Sequence, residues 1–401
     1  MVTYDAATTS VTVPGLVNMH DHLRAFVPGS VASEGAPLGE AISAGNARQA
    51  VAGPAEYRAL TALGAARQVV AGTTSVVDHV YPLHRPGLLE AVVAGHAAVG
   101  VRGYVALGIM TRGADGLTTS VADVVSLAER TADELLPREQ LFLAPVSLRQ
   151  NAPEDYAQAV RAADRLGLRL YTHISENRAE VDACLAEHGV RPIGLLDRAG
   201  FLRPGTVLVH GVELTDAEID LLAERGVALV YCPTNHLRFA KGVARVVDLL
   251  DAGVPVTLGV DGMESLVHEM RQAVYAQGQA AGDPGALSSS AAFAMATATA
   301  SGVLGLPGDG SGGDLVRLDV GAPAWQPLVD PLWSLVHRAS PAHVTDVHVA
   351  GRPILRDGVL LSADVAELAA EAASAIRTLA ERTGSRPSSG VDTLPRVAPP
   401  Q

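Results

Sequence analysis

Eight short apolar runs recur along this chain of 401 residues, and most are separated by stretches with helical spacing. The runs are VTVPGLVNMHDH, TTSVVDH, VRGYVALGI, LFLAPVSL, LRLYTHIS, TVLVHGV, VALVYCPT and VPVTLGVDG, which are rich in β-branched residues and bounded by turn formers. Between them lie segments such as PGLLEAVVAGHAAV, SVADVVSLAERTADELL, PEDYAQAVRAADRL and TDAEIDLLAERG, where apolar residues return three and four positions apart. This alternation belongs to a parallel sheet whose strands are joined by helices. Eight units over roughly 290 residues suit a closed (β/α)8 TIM barrel, whose usual size is about 250. A doubly wound open sheet has the same alternation and stays open as an alternative. The barrel is expected over residues 14–305.

After residue 305 the pattern changes. DLVRLDV, VTDVHVAGRPILRDG and VLL alternate over short spans without long helices between them, which predicts a small antiparallel sheet. Residues 1–13 with 306–361 are expected to form a reduced β-sandwich subdomain. Ser362 is a good N-cap for a helix over 362–384. The tail at 385–401 has too little apolar content to pack and is expected to be mobile. GDGSGG at 308–313 lacks the Lys-Ser/Thr of a phosphate loop and reads as a flexible turn. Residues 24–52, long, polar and rich in Gly and Ala, read as a loop over the barrel mouth.

Charge narrows the partners. A formal charge of −13 and a pI near 5.4 argue against nucleic acid or an anionic membrane as the main partner, leaving a small-molecule substrate. The start, MVTYDAATTSVTVPG, lacks the basic and apolar regions of a signal peptide, so a cytoplasmic location is expected. A homo-oligomer is compatible with this composition. Cys184 and Cys232 are far apart in sequence and read as two free, buried thiols.

Ionisable residues gather at strand ends, where barrels carry their chemistry. The first run ends in His20 and His22, whose two-residue spacing puts them on one face; the fifth ends in His173, the sixth in His210 and the eighth in Asp261. Any one of these imidazoles is well explained as a hydrogen-bonded core residue. Together, from four strands, they form a set suited to a divalent metal such as zinc. In LYTHISEN, His173 and Glu176 are three apart and would face opposite ways in a strand, so they share a site only if the chain leaves the strand after the histidine. His79, at the end of the second strand, reads as a structural residue behind the site. His84, His96, His188, His268, His337, His343 and His348 fall on predicted loops, helices or the small sheet.

The segments GLVNMHDHLR, THISEN, VLVHGVEL, CPTNHLRFAKG and LGVDG, in that order, resemble the amidohydrolase superfamily. HEMRQAVYAQG followed by DPGALSSSAAFAMATATASGVLGL is similar to the branch with triazine hydrolases, cytosine deaminases and S-adenosylhomocysteine deaminase. The resemblance spans roughly residues 14–361. It implies metal ligation by His20, His22, His173 and Asp261, proton transfer by Glu176 with Asp261 as a second acceptor, and contact with water or the transition state by His210. Binuclear relatives carry a carbamylated lysine, or a glutamate, at the end of the fourth strand, where this chain reads LFLAPVSLRQ. The sole lysine, Lys241, follows the seventh strand and is in the wrong place to bridge two ions. One divalent ion is therefore expected, zinc first, with iron and manganese as alternatives.

The implied activity is an aminohydrolase that releases ammonia from a small nitrogenous heterocycle or amidine. Hydrolysis of another C–N bond, such as a cyclic amide or N-alkylamine, or of a halide, would use the same activated water. Glu176 favours a leaving group that needs a proton. A barrel that only binds would be expected to have lost some of these residues. The chain also departs from its relatives. Their Pro-His after the fourth strand is replaced by Pro145, Val146 and Ser147, and their Glu-Trp pair by Glu40 and Ala41, which argues against a ribose pocket. Arg24, Arg149 and His236 remain as candidate substrate contacts.

Overall fold

The computed structural model describes residues 2–25, 38–114 and 116–384. Eight parallel strands, Leu16–Asp21, Thr73–Val80, Arg102–Ile109, Leu141–Pro145, Arg169–Ile174, Val207–His210, Ala228–Tyr231 and Val256–Leu258, lie side by side in chain order. Nearly every residue in them is buried, as expected of strands covered by helices on one face and by each other on the other. Alternate side chains fill the interior: Val17 and Met19, Tyr104 and Ala106, Phe142 and Ala144 belong to one buried cluster. The intervening helices start and stop where their sequences say. Ser120, Asn177 and Thr215 accept N-terminal N–H groups, and Gly167, Gly189 and Gly226 end helices in the left-handed conformation.

Closure comes where the eighth strand meets the first. The N–H groups of Val260 and Asp261 both donate to the His20 carbonyl, at 2.9 and 3.0 Å. The Asn18 side-chain oxygen accepts from Val260 N at 3.0 Å and from His20 N at 3.3 Å, joining both strands. Gly259 makes this approach sterically feasible, because a Cβ there would lie 2.7 Å from His20 Cβ and 2.8 Å from Val230 Cγ1.

A second sheet of six antiparallel strands comprises Thr3–Asp5, Ser10–Pro14, Leu315–Asp319, Val344–Val349, Arg352–Arg356 and Val359–Leu360. The first apolar run is thus divided: VTVP pairs with Leu315–Asp319, and only the residues after Gly15 enter the barrel. Gly15 N donates to Asp314 O at 2.8 Å, and the Asp314 carboxylate takes both Arg102 Nη atoms, tying this sheet to the third barrel strand.

Three expectations need correction or restriction. The helix expected from Ser362 spans Val365–Thr383 with Asp364 as its cap, its carboxylate accepting Ala366 N at 2.7 Å. A second good capping side chain two residues later wins. Part of the segment expected as a mouth loop is a helix, Leu38–Val51, whose alanines favour that state, preceded by a short turn at Leu23–Ala25. Residues 26–37 and the tail at 385–401 lie outside the described residues. GDGSGG is a turn, with Gly310 and Gly313 at positive φ, and Cys184 and Cys232 are free and buried. No described helix is long and apolar enough to cross a membrane.

The seam generates a prediction. Gly259→Ala should cost about 1–3 kcal/mol, as overpacking in a rigid core does, and urea unfolding against the parent measures it.

Candidate metal centre and active site

Three imidazoles converge at the C-terminal mouth of the barrel, and their outer nitrogens are already committed. His22 Nδ1 donates to the His79 carbonyl at 2.8 Å, and His173 Nδ1 donates to the Val146 carbonyl at 2.8 Å. His20 Nδ1 lies 2.7 Å from the Tyr171 hydroxyl, which gives its single hydrogen to Met19 O at 2.9 Å and so accepts from His20. In each ring the proton sits on Nδ1, which leaves a lone pair on Nε2. These nitrogens turn inward. His20 Nε2 is 3.3 Å from His173 Nε2 and 3.3 Å from Asp261 Oδ1, while His22 Nε2 is 3.8 Å from the same carboxylate oxygen. Ligands about 2.0–2.2 Å from a tetrahedral ion stand about 3.3–3.6 Å from one another, so the spacing and the donor set fit a divalent metal.

The electrostatics agree. Burial holds the His22 imidazole down at about 4, with His20 adding to the effect, and pushes His173 well below its ordinary value, so both are neutral at pH 7. Burial works to raise the Asp261 carboxyl, but His20 and His210 outweigh it and keep it ionised. Two neutral imidazoles, His22 and His173, beside an ionised carboxylate suit a dication.

Backbone conformation aims two of these groups. His210 ends its strand with φ +81° and Asp261 follows its strand with φ +49°, both in the left-handed region that side chains seldom adopt. Ser175, at φ +48°, is the kink that takes the chain out of the strand after His173. Glu176 is thereby brought onto the side of the cluster where His210 lies, its Oε1 3.5 Å from His210 Nε2. The His210 ring stacks on His173 with centroids 5.2 Å apart.

Glu176 is enclosed by cations. Arg149 Nη2 lies 2.5 Å from Oε2 and Lys241 Nζ 2.5 Å from Oε1. Burial would raise the Glu176 carboxyl, yet His210, Lys241 and Arg149 hold it well below the usual range. Lys241 also donates to Asn235 Oδ1, and Asn235 Nδ2 donates to the Asp261 carbonyl at 3.2 Å, so the lysine is wired to the metal-side loop. Sequence reasoning dismissed Lys241 as a bridging ligand and missed this role. That it is the chain's sole lysine, two residues beyond Phe239 in a strand-end loop, was the available signal.

The remaining candidates divide. Arg149 borders the site with a side chain 35% exposed. His236 is buried behind His210, its Nε2 3.1 Å from His210 Nδ1, and so supports that ring from the far side. Arg24 is also buried; its guanidinium lies 4.8 Å from the Tyr57 ring centre and 6.0 Å from that of Tyr81, and Tyr81 packs edge-on against His22. It stands one layer behind the cluster and lines a separate cavity with Arg48, Gln49, Tyr57 and Leu379. His79 holds His22 through its carbonyl, and its ring, stacked on His173 at 4.8 Å, has no hydrogen-bond partner for either nitrogen among the described residues. Asp21 escaped notice in the sequence: its Oδ1 accepts His22 N at 2.8 Å and Gly262 N at 3.0 Å, pinning the Asp261 loop to the first strand.

Several known proteins are similar to this chain over most of its length. The chain is 32% identical over 397 residues to the 5-methylthioadenosine/S-adenosylhomocysteine deaminase of Halobacterium salinarum, covering 95% of this chain and 90% of the relative. It is 32% identical to the 5'-deoxyadenosine deaminase of Methanothermobacter thermautotrophicus, covering 92% and 88%. Among solved structures, a zinc-bound adenosine deaminase from Xanthomonas campestris superposes with TM-score 0.83 at 28% identity over 92% of this chain and 86% of that one. The zinc complex of an atrazine chlorohydrolase from Arthrobacter aurescens shares the fold with TM-score 0.82 at 23% identity, covering 92% and 88%. The amidohydrolase family profile matches residues 11–354. With its barrel, its strand-end histidines and that match over most of its length, the chain belongs to the amidohydrolase family.

Proposed function

We propose that this protein is a mononuclear, zinc-dependent aminohydrolase that replaces an amino group on a small nitrogen heterocycle or amidine by oxygen and releases ammonia. It is a hydrolase of carbon–nitrogen bonds. The observation that carries the reading is the shared placement of an ionised carboxylate, Glu176, and a neutral imidazole, His210, beside three inward-turned imidazole nitrogens and Asp261. Relatives named as deaminases support ammonia as the product, and the zinc-bound deaminase structure supports zinc.

His20, His22, His173 and Asp261 would hold the ion. A divalent ion there supplies Lewis acidity, which lowers the pKa of water from 15.7 to about 7. Glu176 Oε1 takes a proton from the attacking water and passes it to the ring nitrogen as the C–O bond forms. The second proton, from the new hydroxyl, goes to the amine as the C–N bond breaks, so one water and one amidine give one carbonyl and one ammonia. His210 Nε2 faces the Glu176 carboxylate and therefore carries the hydrogen, which can also serve the developing oxyanion. Its Nδ1 is then an acceptor, filled by the N–H of His236 Nε2 at 3.1 Å. His236 acts as a positioning residue in this scheme. A protonated Nε2 also argues against His210 as a ligand, although one of its nitrogens lies within 4.8 Å of a His20 nitrogen and an Asp261 carboxylate oxygen.

Ammonia release by zinc-reconstituted protein across a panel of amino-heterocycles tests the activity; turnover of one member is expected, and its absence throughout, alongside hydrolysis of a cyclic amide or halide, would replace the reading. Elemental analysis should return one divalent ion per chain, since no second carboxylate or carbamylated lysine is available at the fourth strand. Two tightly held ions would contradict a single site. Glu176→Gln should keep the ion while lowering turnover by about 10² to 10⁴. Loss of metal from that variant would mean Glu176 is a ligand.

A further inference from the structure

The proton carrier assigned above is paired, in this state, to two cations at once. Both oxygens of Glu176 are occupied, Oε1 by the Lys241 ammonium and Oε2 by the Arg149 guanidinium, each at 2.5 Å. An oxygen capped by an ammonium is a poor place to receive a proton, so at least one cation has to find another partner during the reaction. Among the described residues neither has one waiting. Lys241, with a side chain 2% exposed, is otherwise bonded to the neutral amide of Asn235. Arg149 uses one donor of its fork on Glu176. The nearby Glu180 carboxylate, on the first turn of the Arg178–His188 helix, is already taken by the N–H groups of Ser175 at 3.2 Å and Glu176 at 2.9 Å. A divalent ion beside Asp261 would add further positive charge.

We infer that Arg149 and Lys241 form an anion clamp, held by Glu176 until substrate arrives, and that the substrate is an amino-heterocycle or amidine bearing an anionic oxygen group such as a carboxylate. The incoming anion takes over the cations and frees a Glu176 oxygen for proton transfer. Specificity and activation are then one event, because a neutral ring leaves Glu176 paired. A guanidinium fork and an ammonium suit two oxygens of one planar group. Phe239, whose ring centre is 5.4 Å from Lys241 Nζ, helps keep the ammonium in place.

The inference rests on the placement of Glu176 in the proposed function, but its test needs no turnover. Benzoate and benzamide, which match in shape and differ in charge, are titrated calorimetrically into metal-loaded protein. Benzoate should bind more tightly by about tenfold or more, and Lys241→Met and Arg149→Met should each remove most of that preference. Glu176→Gln, which deletes the resident anion, should bind benzoate at least about tenfold more tightly than the parent. The double variant Lys241→Met/Glu176→Gln, which leaves no buried charge unpaired at that oxygen, guards against misfolding of Lys241→Met and should bind benzoate at least about tenfold less tightly than Glu176→Gln alone. Equal binding of the two probes, a preference that survives Lys241→Met through capture of benzoate by the metal alone, or no gain in Glu176→Gln would each overturn the clamp. Ammonia release from neutral rings alone would overturn the anionic substrate while leaving the aminohydrolase reading intact.

Discussion

Everything at the mouth of this barrel depends on how the eighth strand docks on the first. Two backbone N–H groups from Val260 and Asp261 share the His20 carbonyl, and Asn18 bridges the same two chains from its side-chain oxygen. Those bonds set the distance between His20 and Asp261, residues 241 positions apart in the chain, to within ligand spacing. Without Gly259 the strands could not come that close. The same contact that closes the fold therefore builds the site, and Asp21 reinforces it by holding His22 N and Gly262 N on one oxygen.

Burying so many polar side chains together is costly unless each has a defined partner. The molecule meets this by dividing the rim into two electrostatic halves. On one side burial keeps His22 and His173 neutral, and the outer nitrogens of His20, His22 and His173 are tied to Tyr171, His79 and Val146, which suits a dication. On the other, Glu176 is kept ionised between Arg149 and Lys241. His210 stands between the halves, stacked on His173 and facing Glu176. A reaction that moves a proton from water to a leaving nitrogen crosses that boundary.

The barrel was legible because strands buried on both faces need continuous apolar runs, and helices between them need a different period. The meeting of His20, His22, His173 and Asp261 was legible because strand ends share one rim, whatever their separation in sequence. What could not be read was pairing between groups whose contacts are purely tertiary. Lys241 looked misplaced because the question asked of it was whether it bridges two ions; its partner, Glu176, lies 65 residues earlier on a kink made by Ser175. Tyr171 sits inside an ordinary apolar run, and only barrel curvature turns its hydroxyl toward His20. The division of the first run at Gly15 was hidden because both halves are β-branched, and only the partner Leu315–Asp319, some three hundred residues away, separates them. The helix at 38–51 was masked by its glycines and polar residues.

The central claim is that three imidazoles and one carboxylate from three strand ends hold a single ion. X-ray absorption at the zinc K-edge, on protein loaded with one equivalent of zinc, tests it directly. The account predicts a shell of nitrogen and oxygen donors at about 2.0–2.2 Å with the outer-ring scattering of three histidines, falling to two in His173→Ala. A sulfur donor at about 2.3 Å, or a histidine count unchanged by that substitution, would contradict it.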